Sequence, residues 1–355
     1  MAKEIVGLKL GASRLTAARL AVNGSAELLQ LAESALESGV IAGGEVQDVQ
    51  TLAAALKELF RAHKLPKRNV RIGVANNRIG VRTIEVAGID DAKQLANAVR
   101  FRAQEALPIP IDEAVLDFVV LSEREDEEGR PVRRVLLAVA YRDLVRAYVE
   151  AFRLAGIRLA GIDLEAFALL RALTPTDSPP ADTVGPSALV AVSAGSERSV
   201  LAVSDGQSCE FTRVLEWGGK ALSVAVARAL EIELREAERV KVSLGLQGDS
   251  VPDGVAPEQA VKAREALKAA VQSFARELVS SLQFYQGQPD SLGISEIVIV
   301  GGTAQLTGLA PELQRLVGVP VRVGDPLAGV GVGKKLKGDA PGPSHTVPIG
   351  LGMAI

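Results

Sequence analysis

The sequence has few of the residues on which several common functions depend. Of its 355 residues, one is cysteine (Cys209) and two are histidine (His63 and His345). A single cysteine excludes an internal disulfide framework, and so few soft ligands leave little material for a transition-metal site. Aromatic residues make up 3% of the chain, which argues against the stacking platforms that bind single-stranded nucleic acid.

An excess of charge and a long apolar run are also missing. Lys and Arg total 40 against 43 for Asp and Glu, so no positive charge excess indicates a nucleic-acid partner. The sequence has no signal peptide and no run of about 18 or more apolar residues. We therefore expect a cytoplasmic protein without direct membrane insertion. With 355 residues, the chain is longer than one hydrophobic core ordinarily accommodates, which predicts two lobes.

A strand, a glycine turn and a helix follow one another in the stretch Ile297–Pro326. Its first four residues are apolar and predict a strand buried on both faces, which ends at Gly301 and Gly302. After Thr303, leucines recur at helical spacing. Because glycine has no Cβ, this turn lets a flat ligand group approach the main chain, and the helix start offers unpaired N–H groups. A glycine pair alone is equally typical of tight turns that bind nothing.

Two strand–turn–strand units, at residues 5–22 and 188–203, indicate an internal duplication. Their turn residues are Gly11, Ala12 and Ser13 in the first unit, and Gly195 and Ser196 in the second. The agreement in length and arrangement predicts two related lobes. Two such turns that face a shared cleft are able to hold a polyphosphate between opposing backbone N–H groups.

The second lobe carries another glycine pair and a pair of opposite charges. Gly218 and Gly219 open a helical pattern whose apolar residues recur through residues 222–244. Glu238 and Lys241 lie three residues apart on it and share a face. Spacing alone favours a surface ion pair worth a few tenths of a kcal/mol. The alternative is a pair that grips a ribose.

Composition and periodicity predict the domain organisation. Strand and helix patterns indicate a small α+β insertion in the first lobe, and a proline-rich stretch indicates a linker between the lobes. The predicted parts are the first lobe at 1–83 and 155–176, the insertion at 84–154, the linker at 177–186, and the second lobe at 187–355 with a helical subdomain at 215–293. The acidic run at 123–130 is interpreted as a solvated hairpin loop.

In their order along the chain, these segments resemble the five nucleotide-site segments of the actin, sugar-kinase and heat-shock-chaperone superfamily. Within it, the chain resembles the PilM family of type IV pilus assembly proteins, which are relatives of the cell-division protein FtsA. The segments that carry this resemblance most strongly are Phe101–Asp117, Glu236–Lys241 and Ile297–Pro326. The resemblance covers essentially the whole chain. It implies an α/β, two-lobed actin-like ATPase fold with duplicated ribonuclease-H-like cores and an FtsA-type α+β insertion.

The resemblance also implies a nucleotide site for ATP or ADP. The residues that it places around phosphates are Gly11, Ala12, Ser13, Gly195 and Ser196. Those that it places around adenosine are Gly218, Gly219, Glu238, Lys241, Gly301 and Gly302, and Thr303 completes the nucleotide-binding set.

Three positions depart from the family pattern. PilM-like proteins usually carry an acidic residue in each of the two units, where this chain has Lys9 and Ser193, and a lysine where it has Thr16. The missing carboxylates would hold magnesium, which demands hard oxygen ligands. We therefore predict no metal site, no catalytic residue and no efficient phosphoryl transfer. Two interpretations of Lys9 remain open: its ammonium lies against phosphates in place of the metal, or it pairs with a neighbouring carboxylate in a cleft that has lost its ligand.

The function implied by the resemblance is a scaffold in the inner-membrane assembly complex of a type IV pilus, peripheral to the membrane through its partners. Family members bind the cytoplasmic tail of the membrane protein PilN in a groove beside the insertion and link that complex to the assembly motor. Self-association in an actin-like manner is a further option that the sequence does not specify.

Two alternatives belong to other functional classes. The first is an active ATPase or a sugar-kinase-like phosphotransferase, for which Asp163 is the candidate carboxylate in the first lobe. The second is an FtsA-like division scaffold. Such scaffolds usually end in an amphipathic membrane helix, whereas residues 347–355 are short, uncharged and typical of a core segment.

Overall fold

The computed structural model describes residues 3–89, 91–106, 110–174, 187–248, 251, 254–289, 291–338 and 340–354. The predicted linker, 177–186, lies outside the described residues. The strands are β1 (Lys3–Leu10), β2 (Arg14–Asn23), β3 (Ser25–Ala35), β4 (Ile41–Ala42), β5 (Glu45–Val46), β6 (Val70–Val74), β7 (Ile79–Ala87), β8 (Ala114–Glu125), β9 (Pro131–Tyr141), β10 (Leu159–Leu164), β11 (Ser187–Ala194), β12 (Ser199–Ser204), β13 (Cys209–Leu215), β14 (Gly293–Val300), β15 (Val321–Val323) and β16 (Gly331–Lys337). The α-helices are α1 (Val49–Ala62), α2 (Ala92–Ala106), α3 (Arg142–Ala155), α4 (Glu165–Leu173), α5 (Gly219–Leu230), α6 (Leu234–Leu244), α7 (Pro257–Gln286), α8 (Leu309–Val317) and α9 (Thr346–Met353).

Two sheets that share the same five-strand topology form the body of the molecule, and the first has β16 as a sixth strand. The strand order is β10-β6-β1-β2-β3-β16 in the first sheet and β13-β12-β11-β14-β15 in the second. Each sheet combines a meander of three antiparallel strands with two parallel ones: β1, β2 and β3 with β6 and β10, and β11, β12 and β13 with β14 and β15. The internal duplication predicted from the two strand–turn–strand units is confirmed.

The central strands are apolar on both faces because helices cover both sides of each sheet. In β1, the neighbours Ile5 and Val6 are 3% and 0% exposed, and in β11 the neighbours Ala191 and Val192 are both 0% exposed, although adjacent side chains point to opposite faces. One face of the second sheet packs against α5, α6, α7 and α8 in a continuous core. The other face packs against α4 and α9, so a layer of helices lies between the two sheets.

A third sheet, of order β7-β9-β8, forms the insertion, with α2 packed on one face. It comprises residues 79–141, whereas the sequence pattern assigned 84–154 to it. The difference arises from α3, whose Tyr148 and Phe152 are buried in the same core as Phe60 of α1. Because its apolar stripe packs against α1, α3 belongs to the first lobe.

After β15 the chain returns to the first lobe. β16 pairs in parallel with β3, and α9 packs against β1, β2 and α4. The assignment of all of 187–355 to the second lobe is therefore corrected at its C-terminal end. Residues 347–352 of α9 are buried, as expected for a core segment.

A tight approach between α4 and α9 fixes this return. A Cβ added at Gly350 would overlap the carbonyl oxygen of Ala168, and one added at Gly7 would overlap that of Pro348. Arg171 of α4 adds a hydrogen bond from its Nη1 to the Gly350 carbonyl oxygen at 2.7 Å. The C-terminal segment is therefore bound to the first lobe by close backbone packing.

We expect Gly350→Ala to destabilise the protein by about 1–3 kcal/mol, the usual cost of overpacking, because helix and strand backbones cannot yield as a flexible side chain does. Urea denaturation followed by circular dichroism measures this. Gly293→Ala is the matched control, since its Cβ would meet nothing within 4 Å. Equal midpoints for the two variants would contradict the packing described here.

Candidate functional site

Loops of the second lobe bring most of the predicted site residues together. The Gly219 N–H donates to the Gly195 carbonyl oxygen at 2.9 Å, and the Lys220 N–H donates to that of Ser196 at 2.8 Å. The Thr303 hydroxyl also donates to the Gly195 oxygen, at 2.7 Å. The turn after β11, the start of α5 and the turn after β14 thus form one hydrogen-bonded cluster.

Several glycines of this cluster are required by packing of the protein itself. A Cβ at Gly218 would lie 2.7 Å from the Gly195 oxygen, and one at Gly219 would lie 2.6 Å from Thr303 Oγ1. Gly301 has φ of +93°, and its Cβ would overlap the Ala194 carbonyl oxygen. These contacts alone explain the absence of side chains there.

Gly302 differs from the other glycines of the cluster. A Cβ added to it would meet nothing within 4 Å, and its φ lies outside the left-handed region. It begins a short helical turn, Gly302–Gln305, whose start is exposed. Gly302 is therefore the glycine of this pair at which a ligand can reach the main chain.

The Glu238–Lys241 pair lies at the edge of the same cluster. Lys241 Nζ is 2.8 and 2.7 Å from the two carboxylate oxygens of Glu238, and it donates to the Gly219 carbonyl oxygen at 3.3 Å. The Ser223 hydroxyl donates to Glu238 as well. The Lys241 side chain is 9% exposed and that of Glu238 is 51% exposed. The expectation of a simple surface pair is thus wrong for Lys241, which is buried and holds α6 against the start of α5.

In the first lobe, Gly11, Ala12 and Ser13 form the turn between β1 and β2. The Gly11 N–H donates to the Arg14 carbonyl oxygen at 3.0 Å, as the Gly195 N–H does to that of Arg198 at 2.9 Å. The two turns are therefore closed in the same way. Lys9 and Ser193, each two residues before the turn glycine, meet across the lobes, with the Lys9 ammonium donating to Ser193 Oγ at 3.2 Å.

Lys9 also has a carboxylate partner that the sequence did not reveal. Its Nζ lies 3.2 Å from Glu165 Oε2, and the two side chains are 17% and 6% exposed. Glu165 is the first residue of α4, which the periodicity analysis did not identify. Of the two interpretations of Lys9, this contact is the one expected when the lysine pairs with a neighbouring carboxylate.

The residues at this position do not suit magnesium. The ion requires several hard oxygen ligands, whereas the two equivalent strand positions provide an ammonium and a hydroxyl that bond to each other. Among the described residues, no group of three or more His, Cys, Asp or Glu side chains is placed to hold a metal ion.

Asp163, the candidate carboxylate for phosphotransfer, is engaged elsewhere in the first lobe. Its Oδ2 lies 3.1 Å from Arg171 Nη2, and its Oδ1 accepts the Leu164 N–H at 2.8 Å. The side chain is 13% exposed. Asp163 thus positions Arg171, which contacts α9, and the carboxylate beside the cleft cation is Glu165.

A family model described as type IV pilus assembly protein PilM matches residues 7–354. The chain belongs to the PilM family. Among solved structures, it is similar to a chain of the PilM–PilN type IV pilus biogenesis complex, with a TM-score of 0.81, 27% identity and 100% of each chain covered. The similarity therefore extends over the whole length of this PilM-type chain.

More distant structures show that this PilM-type chain has the predicted actin-like fold. The ethanolamine utilization protein EutJ from Carboxydothermus hydrogenoformans aligns with a TM-score of 0.57 and 16% identity, over 99% of this chain and 89% of EutJ. MreB5 of Spiroplasma citri, bound to AMPPNP, aligns with a TM-score of 0.53 and 12% identity, over 98% and 94%. Among the helices of the described residues, none has the length and apolar character needed to cross a membrane.

We expect Gly301→Ala to destabilise the protein and Gly302→Ala to leave its stability nearly unchanged. The first places a methyl group on a backbone oxygen at positive φ, and costs of a few kcal/mol are usual for such overlap and strain. The second adds a methyl group in open space, so its unfolding temperature should stay within about 1–2 °C of the parent, since surface changes cost at most about 0.5 kcal/mol. Differential scanning calorimetry measures the unfolding temperature of both variants. An equal loss of stability in the two variants would contradict this prediction and would mean that both positions require glycine.

Proposed function

We propose that this chain is a scaffold of a type IV pilus inner-membrane assembly complex and that it binds the cytoplasmic tail of a PilN-like membrane protein. The observation that supports this most is the similarity to a chain of the PilM–PilN complex over the full length of both chains. In this proposal the protein lies in the cytoplasm, is held at the membrane by its partners, and connects them to the pilus motor.

In this proposal the tail lies in a groove beside the insertion. The face of the insertion sheet opposite α2 carries apolar residues from all three strands: Ile79, Val81, Val115, Val119, Leu136, Ala138 and Ala140. Ile79 and Val81 also line a cavity of about 140 Å³ whose other walls are the ends of β6 and β10 and strands β12 and β13. The apolar face therefore continues into the space between the lobes.

Charge on this face favours a tail that combines apolar and basic residues. Val115 and Val119 are 39% and 53% exposed, and the exposed Asp117 lies between them on the same face. Among the described residues, Asp117 has no ion-pair partner, so its carboxylate is free to meet a lysine or arginine. Apolar side chains supply burial and the carboxylate supplies orientation.

The test is a titration of the protein with a fluorescent peptide that has the sequence of the PilN-like tail encoded in the same genome, followed by anisotropy. We expect saturable binding and a loss of tenfold or more, about 1.4 kcal/mol, in Val119→Asp. The matched control is Val242→Asp on α6, an exposed valine of the second lobe at 64% exposure. Equal affinity of both variants would reject this groove, and no binding of the parent would reject the tail as a partner.

We further infer that the cleft accepts ATP or ADP without efficient hydrolysis. The cluster around Gly195, Gly219 and Thr303 supports this inference, together with the open approach at Gly302. The pairing of Lys9 with Ser193 and Glu165 argues against hydrolysis, since it puts a cation where a metal would need carboxylates. An active kinase would need another carboxylate for this role, because Asp163 is committed to Arg171.

Calorimetric titration with ATP and ADP, in EDTA and again in excess magnesium, tests this inference. We expect the same affinity in both buffers, because the protein offers the ion no ligands of its own. Gly302→Val should weaken binding several-fold without lowering the unfolding temperature, since a Cβ at this position would meet nothing within 4 Å. A tenfold gain in affinity on addition of magnesium would contradict the proposal, as would phosphate release that depends on magnesium.

A further inference from the structure

Lys9 and Arg198 cross between the two lobes in opposite directions, and Arg134 of the insertion sheet also reaches Glu210 in β13 of the second lobe, at 2.6 Å. Lys9 extends from β1 of the first lobe to Ser193 in β11 of the second. Arg198 extends from the turn after β11 to the first lobe, where it contacts the backbone at Gly43 and Ala75. Each lies next to one of the duplicated turns, so the pair spans the cleft at its centre.

The first lobe binds the Arg198 guanidinium through backbone carbonyl oxygens and a glycine that leaves room for it. Its Nη1 donates to the Gly43 carbonyl oxygen at 2.7 Å and also to that of Ala75. Gly44, with φ of +72°, lies directly against the guanidinium, and a Cβ there would overlap Nη1. The Tyr148 hydroxyl donates to the Gly44 carbonyl oxygen at 2.9 Å, so the hairpin of β4 and β5 is held in place from behind by α3.

The Lys9 ammonium is likewise held by specific partners, one in each lobe. Its ammonium bonds to Ser193 Oγ and to the carboxylate of Glu165, and both partners are buried. A partly buried ion pair is screened by salt much less than an exposed one. Removal of one partner would leave a buried charge without compensation, which is costly. Lys9 therefore stays in place without a bound ligand.

We propose that Lys9 and Arg198 form a clasp that holds the two lobes closed in the absence of nucleotide and metal. The clasp is a property of the chain itself and does not depend on the partner proposed above. With the clasp formed, the cleft is closed whether or not nucleotide is bound. Peripheral contacts such as Asn77 Nδ2 to Glu216 Oε1, at 2.7 Å, assist at the rim.

The experiment measures the distance between the lobes by pulsed electron paramagnetic resonance on the full chain. Nitroxide labels are attached at Lys57→Cys on α1 and Lys262→Cys on α7, both exposed positions. The native Cys209 does not compete for label, because burial raises the pKa of its thiol to about 12. The parent without nucleotide should give one narrow distance distribution that ATP and magnesium leave unchanged.

The decisive comparison uses two double variants. The clasp variant carries Lys9→Met and Arg198→Ala, and the control carries the same two substitutions at a lysine and an arginine elsewhere. The control is Lys268→Met with Arg153→Ala, two exposed positions within single lobes, of which Arg153 pairs with Glu150 on its own helix. We expect the clasp variant to show a distribution shifted and broadened by several ångströms and the control to match the parent. A parent distribution as broad as that of the clasp variant, or a clasp variant identical to the parent, overturns the proposal.

A pair of neighbouring glycines provides the same test if the double variant fails to fold. Gly43 and Gly44 both have positive φ, at +55° and +72°, so alanine brings backbone strain at either position. At Gly43 a Cβ meets nothing within 4 Å, whereas at Gly44 it displaces the Arg198 guanidinium. Gly44→Ala should broaden the distribution and Gly43→Ala should not. Identical distributions for the two variants would overturn the proposal.

Discussion

The contact between Lys9 and Ser193 is the polar interaction that joins the two lobes at the cleft, beside the buried apolar layer of α4 and α9 on which both sheets pack. It joins equivalent positions of the duplicated units, two residues before the glycine of each turn. Because the ammonium is also paired with Glu165 at the start of α4, the central strands of both sheets and the helical layer between them meet at one point. Ser193 is followed two residues later by Gly195, whose carbonyl oxygen accepts hydrogen bonds from the other glycine loops of the second lobe.

The chemistry of this centre supports the proposal that the chain does not hydrolyse nucleotide efficiently. Catalysis of phosphoryl transfer relies on metal ions and positioned charges that stabilise the transferred group. Here the charges at the centre neutralise one another, and their geometry is satisfied within the protein. The pocket-side loops retain hydrogen-bonded order, as the contacts of Gly195, Gly219 and Thr303 show. A scaffold that keeps the actin-like form without its reaction is consistent with both observations.

The sequence predicted the elements that carry strong periodicity or a clear turn. The strands on either side of Gly11 and Gly195 have the expected places, and so does the helix that opens at Gly218 and Gly219. It did not predict β3, whose alternation is interrupted by polar residues, or the break between α5 and α6, where Glu231 adopts a left-handed conformation with φ of +57°. That conformation is uncommon outside glycine and leaves no mark in the apolar spacing.

Tertiary contacts account for the rest of what the sequence could not show. The approach of Glu165 to Lys9 and the contacts of Arg198 with the first lobe join residues more than a hundred positions apart, and a single sequence has no signal for such pairs. The same is true of β16, whose glycines and lysines, Gly331–Lys337, carry no apolar alternation. The position of β16 next to β3 is therefore set by its pairing with β3 and not by an apolar pattern in its own sequence.

The return of β16 and α9 to the first lobe also determines the order in which the protein can fold. β1 is synthesised before α9, with the whole second lobe between them, yet the two are packed backbone against backbone at Gly7 and Pro348. The first lobe therefore leaves the ribosome with an open apolar face, which closes after the whole second lobe has been synthesised. Contacts of such long sequence separation slow folding, and we expect this unfinished face to be the surface that a nascent chain exposes to chaperones.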